Sequence, residues 1–199
     1  MATLTLRPNA AGTYQEMGVF PSGSTHWGAT SDQSDSSYLL ANDILVRDFE
    51  NFEDTSQTGT ISSVTGYMRA KKLTSAQAGA AQIGWRIGGP ADWYSVGKAL
   101  TTNFADYSET RDVNPQTGLA WTWDDINALE LGAMVSAFGR TQEGLYFSEF
   151  WIVVEYTVAV PQAFGDGLSW VVYAILTPIW VSLLKLIGFL RKLIMEVRI

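Results

Sequence analysis

Cysteine is absent from this 199-residue chain and histidine occurs once. The first absence excludes disulfides, thiolate nucleophiles and cysteine-based zinc sites together, and so leaves redox compartment unread. No Asn-x-Ser/Thr acceptor, Walker motif or GxGxxG loop occurs, so glycosylation and phosphate-cradling chemistry find no signal. The opening MATLTLRPNAAG carries neither a basic n-region nor a continuous apolar h-region. It reads as a first strand rather than a secretory signal peptide. What the chain has is apolar mass: 47% hydrophobic and 13% aromatic residues, enough for a sizeable core in one domain plus an appendage.

Charge divides at Asp166. The chain carries net charge −7, and beyond Asp166 stand Lys185, Arg191, Lys192 and Arg198 against Glu196 alone. That tail is +3, which leaves −10 for the body. An acidic body without a basic stripe repels phosphate backbones, so nucleic acid is not an expected partner.

Periodicity in the body is that of strands. In GAAQIGWRIGG, Ala81, Ile83, Trp85 and Ile87 alternate with Gln82, Gly84 and Arg86. In GTISSVTGYMRAKKL, Val64, Gly66, Met68 and Ala70 alternate with Thr65, Tyr67 and Arg69. GLYFSEFWIVVEYTV places Tyr146, Phe150, Ile152, Val154 and Tyr156 on one side and Phe147, Glu149, Trp151, Val153 and Glu155 on the other. Both sets are largely apolar, as a long central strand requires. Further strands are expected over 3–7, 37–47, 93–102, 105–111 and 129–138, separated by turn-forming stretches such as FPSGS, TSQTGT, GGPAD and NPQTG. About eight strands without alternating helices imply an antiparallel β-sandwich of jelly-roll type. One helical turn interrupts it: in LAWTWDDINALELG, Thr122 caps a short helix whose first turn carries Asp124 and Asp125, with Trp121 and Trp123 packing it onto the sandwich.

LRPNAAG, GTISSVTGYMRAKK, WTWDDINALELG and FWIVVEYTV together resemble a loose group of β-sandwich structural and surface proteins of environmental phages, prophages and archaea, over residues 1–158. The resemblance implies a virion, tail-associated or surface module with no assigned catalytic residues. It leaves out the tail.

Motifs with catalytic spacing are scarce. His26 sits in SGSTHWGATSD beside Ser22, Ser24, Thr25 and Asp32, without a nucleophile elbow, and zinc calls for more nitrogen or sulfur ligands than one histidine supplies. The protein is therefore expected to be no enzyme and to need no cofactor. In SDQSDSS, Asp32 and Asp35 are weak calcium candidates whose spacing fits no EF-hand loop. For glycans the candidates are Trp93 and Tyr94 after the GGPAD turn, with Trp85, and Trp27 and Tyr107 as further aromatics; the competing role of such rings is packing.

The C-terminus completes the reading. Residues 1–160 are expected to form the sandwich and 161–199 a hydrophobic helical anchor, bent near Pro178. Gly167–Leu184 is 18 residues without a charge, including Leu168, Trp170, Val171, Ile175 and Ile179. Leu183, Leu186, Ile187 and Leu190 continue at helical spacing among Lys185, Arg191 and Lys192, a basic amphipathic segment suited to a lipid surface or to sister helices. The sequence alone thus points to a self-assembling structural protein of a virion or membrane-associated surface, partnered by itself and by lipid. A membrane-tethered carbohydrate-binding module is the alternative, and a membrane-active or pore-forming protein the third.

Overall fold

A computed structural model describes residues 1–75, 78–138 and 144–158. The segment expected to form a hydrophobic helical anchor, 161–199, with Leu168 to Lys192 and the expected bend near Pro178, lies outside the described residues. Among the described residues no helix is long and apolar enough to cross a membrane.

Twelve strands are described: β1 (Ala2–Leu6), β2 (Pro8–Gln15), β3 (Gly18–Phe20), β4 (Tyr38–Ala41), β5 (Arg47–Phe52), β6 (Thr60–Lys72), β7 (Gly79–Ile87), β8 (Asp92–Tyr94), β9 (Lys98–Ala99), β10 (Ala105–Arg111), β11 (Leu129–Phe138) and β12 (Leu145–Thr157). Two short helices, α1 (His26–Ser31) and α2 (Trp123–Asn127), interrupt them. All recorded pairings are antiparallel, and they form two six-stranded sheets. The first runs β10-β6-β12-β4-β3 with β1 also on β12; the second runs β2-β5-β11-β7-β8 with β9 also on β7. The chain passes repeatedly from one sheet to the other, as jelly-roll connections do. The expected antiparallel sandwich is therefore present.

Inward residues of both sheets fill the core. Leu39, Val64, Met68, Phe150, Ile152 and Val154 meet Ile83, Trp85, Leu131, Ala133 and Val135, all fully buried. Gly66 lets the sheets approach: a Cβ there would lie 2.8 Å from the Trp85 ring. The alternation expected over 64–70 of β6 and 81–87 of β7 holds. In β12 it does not, because the register shifts between Phe147 and Glu149. That bulge turns Phe147 inward beside Phe150, their ring centroids 6.2 Å apart, and leaves Tyr146 half-exposed, the reverse of strict period two.

α2 forms where it was expected. Thr122 Oγ1 accepts from the Asp125 N–H at 3.1 Å while Asp125 accepts from the Thr122 N–H at 2.9 Å, a reciprocal capping box. Trp121 is buried and donates to the Arg111 carbonyl; Trp123 donates to the Gly59 carbonyl and meets Tyr156 edge-on. Strands β2, β3 and β5 and helix α1 were not expected. The 37–47 stretch ends as a strand at Ala41, and 93–102 resolves into the ends of β8 and the short β9.

Candidate functional site

Strand periodicity builds a patterned outer face on the first sheet. Odd-numbered residues of β6 from Ser63 to Lys71 point outward, and the register sets them beside the outward residues of β12 and β10. Three rows result across the strands. Glu149, Arg69 and Asp106 form a charged row; Trp151, Tyr67 and Ser108 form an aromatic row; Val153, Thr65 and Thr110 form a third that carries two hydroxyls, 2.9 Å apart, with Thr5 of β1 beyond Val153.

In the aromatic row the Trp151 and Tyr67 rings lie parallel, 5° between planes and 4.7 Å between centroids. That spacing matches the ≈ 4.7–4.9 Å between neighbouring strands, so the rings stand side by side on adjacent strands. The Arg7 guanidinium sits 5.4 Å from the Trp151 ring centroid on the β1 side. Arg7 also donates to Glu149 at 2.8 Å.

Arg69 organises the charged row. It grips Asp35 with two donors, Nε and Nη2, each at 2.8 Å, and reaches Asp106 with Nη1 at 2.9 Å. Ser148, the residue displaced by the β12 bulge, donates to Asp35 at 2.7 Å. The Arg69 hydrogen bonds hold the Asp35 carboxyl below the usual carboxylate range, ahead of a smaller opposing effect of burial. Between these groups opens a polar cleft of about 460 Å³, lined by Thr5, Arg7, Gln33, Asp35, Arg69, Asp106, Glu149 and Trp151.

The aromatics singled out from sequence do not form one platform. Trp85 is fully buried in the core and offers no ring face to a ligand. Trp93 pairs opposite Trp85 and Tyr94 opposite Gly84, so these consecutive side chains leave opposite faces of the second sheet. Trp93 is 42% exposed at the strand edge. Tyr94 meets Phe49 edge-on and donates to Asp92 on the outer face, in a recess it shares with Leu45, Arg47 and Met134. Trp27 is half-buried on α1, and Tyr107 packs against the core with its hydroxyl accepting from the Thr101 N–H. The calcium candidates are separately engaged. Asp32 accepts from the Ser34 N–H and the Ser37 hydroxyl, while Asp35 is bound to Arg69 and Ser148. Glu149 and Trp151 stood out in the sequence only as outward residues of a central strand; Arg7, Arg69 and Asp106 carried no local signal.

A second cluster lies on the second sheet. His26, the first residue of α1, places Nδ1 2.8 Å from Asp48 Oδ2, and Asp48 and Glu50 are both fully buried on β5. Burial raises both carboxyl groups above the ordinary range, and the Asp48 charge adds to the rise at Glu50.

No protein-family model matches the chain, and no curated protein matches it. Solved structures with similar backbones include the C-terminal CBM6 of the laminarinase LamC from Zobellia galactanivorans, at 9% identity and TM-score 0.45, covering 77% of this chain and 100% of that one. The carbohydrate-binding module CBM6cm-2 of Cellvibrio mixtus lichenase 5A, in complex with cellotriose, gives 12% identity and TM-score 0.43, covering 77% and 97%. The xylan-binding module CBM15 gives 13% identity and TM-score 0.43, covering 79% and 99%. At such low identity and TM-score these likenesses assign no ligand to the chain, and its site is defined by its own geometry.

Proposed function

We propose that this protein is a carbohydrate-binding module that holds a glycan on the outer face of the first sheet. The observation that carries the reading is the three-row pattern: an aromatic pair flanked on one side by charged groups and on the other by threonine hydroxyls, with Trp151 and the charged row lining a cleft of about 460 Å³. A pyranose ring has an apolar C–H face and a rim of hydroxyls. The outward ring edges of the stacked Trp151–Tyr67 pair meet the first, and carboxylate or guanidinium groups exchange hydrogen bonds with the second. The cleft's carboxylates are tied to arginines, which fixes them as acceptors and suits recognition of hydroxyl groups.

The proposal keeps the alternative drawn from the sequence but places the glycan on Trp151 and Tyr67 rather than on Trp93 and Tyr94, Trp85 being buried in the core. Self-assembly and membrane attachment rest on the tail, outside the described residues, and a virion setting rests on the tail together with the resemblance over residues 1–158; the geometry of the sandwich adds nothing to them. A glycan array probed with the full-length chain tests the proposal. Hits are expected, and they should vanish in Trp151→Ala while circular dichroism stays unchanged. Silence of the wild-type chain across the array would overturn the reading.

A further inference from the structure

The cluster at His26, Asp48 and Glu50 is short of hydrogen-bond donors, and the shortage can be counted. Asp48 and Glu50 stand two residues apart on β5, fully buried. The Gln15 side-chain amide has two hydrogens, yet its Nε2 has four acceptors around it: the carbonyl oxygens of Tyr14 and Phe49 at 3.0 Å each, Asp48 Oδ1 at 3.2 Å and Glu50 Oε2 at 3.3 Å. Asp48 Oδ2 takes the Met17 N–H at 3.2 Å and faces His26 Nδ1 at 2.8 Å. Glu50 Oε1 is buried and receives no hydrogen bond at all. Acceptors outnumber donors in a site where an unmet charge is costly. One ring nitrogen of His26 and one carboxylate oxygen each of Asp48 and Glu50 lie within 4.8 Å of one another.

We infer that His26, Asp48 and Glu50 bind a divalent first-row metal ion, Zn²⁺ or Mn²⁺, that clamps α1 to β5. One imidazole nitrogen and two carboxylates form a borderline donor set that fits such ions, and the nitrogen argues against calcium. Donors bonded at roughly 2.0–2.2 Å in a tetrahedral site stand about 3.3–3.6 Å apart, so the widest pair closes by up to roughly 1.5 Å while His26 Nδ1 and Asp48 Oδ2, now 2.8 Å apart, open slightly. His26 keeps 18% of its side chain exposed, which gives the ion a path from solvent. Zinc looked excluded from the sequence because one histidine is too few. The two carboxylates come from a strand whose charged residues hid it.

The test uses untagged full-length protein treated with EDTA and then titrated with ZnCl₂ or MnCl₂, followed by calorimetry and thermal melting. One ion per chain is expected for at least one of the two metals, with the melting midpoint rising by roughly 5 °C or more at saturation. His26→Ala and Glu50→Gln should each weaken binding by about tenfold or more. Binding should also release protons, seen as a dependence of the calorimetric heat on buffer ionisation. If the wild-type chain binds neither ion, or if binding ignores both substitutions, the site is not a metal site. A Glu50→Gln protein that melts higher than wild type, with no ion bound by either, would show that a proton fills the deficit and would overturn the inference. Calcium binding that His26→Ala leaves untouched would do the same.

Discussion

Trp151 and Tyr67 stand parallel on adjacent strands, 4.7 Å between ring centroids, with Arg7 against the far side of Trp151. Each ring holds the other upright, so the pair is positioned before any ligand arrives. Removing Trp151 strips the cleft of its aromatic wall and leaves Tyr67 unsupported. In Trp151→Ala, affinity for a glycan found on the array should fall by roughly tenfold or more, measured by affinity electrophoresis or calorimetry. Trp151→Phe should retain part of it. Equal loss in Trp93→Ala would move the site to the other sheet.

The tryptophans read together in the sequence should separate cleanly in stability. Trp85 is fully buried and stacks at a tilt on Trp121, 6.2 Å between centroids, so Trp85→Ala should cost ~3–5 kcal/mol in urea denaturation. Trp93 is 42% exposed at a sheet edge, and its alanine variant should lie within about 0.5–1 kcal/mol of wild type. Comparable losses in the two variants would contradict this division of roles.

The strands that could be read from the sequence are those whose inward set is apolar, such as β6, β7 and β11. β5 escaped because Asp48 and Glu50 occupy buried positions while Phe49 packs on the outer face between Tyr14 and Tyr94, which inverts the hydrophobic alternation. β2 escaped for a different reason: as an edge strand it opens with Pro8, contains Gly12, and has few apolar residues to alternate. In α1, Thr25 accepts from the Gly28 N–H, a cap whose signal the surrounding glycines and serines masked. The outer cleft joins residues of β1, β6, β10, β12 and the α1–β4 loop. Only the strand register brings them together, and composition says nothing of register.

The α2 cap is the local prediction that can be measured most directly. Thr122 and Asp125 each satisfy a backbone N–H of the other, and Thr122→Ala removes the Oγ1 that accepts from the Asp125 N–H and donates to Asp125 Oδ2, leaving only the Thr122 N–H bond in place. The substitution should lower stability by about 1 kcal/mol, within a range of roughly 0.5–2. Thr122→Ser should restore most of it. Because α2 lies away from the cleft residues, neither change should alter glycan affinity.

The Asp35–Arg69 pair gives the cleft a pH dependence whose sign follows from its cause. Arg69 holds Asp35 below the ordinary aspartate value of 3.8, so the folded protein keeps this carboxylate ionised in acid where the unfolded chain would protonate it. The stabilisation is fully present above that ordinary value and is lost as pH falls through the lowered one. Asp35→Asn removes the charge and one arm of the Arg69 grip at every pH. The melting midpoints of wild type and Asp35→Asn should therefore differ at neutral pH and converge as the solution is acidified to about pH 2. Glycan affinity should follow the same course, since protonated Asp35 releases Arg69 from the position that orders the charged row. A gap that widens on acidification would mean that burial, and not the arginine, governs Asp35.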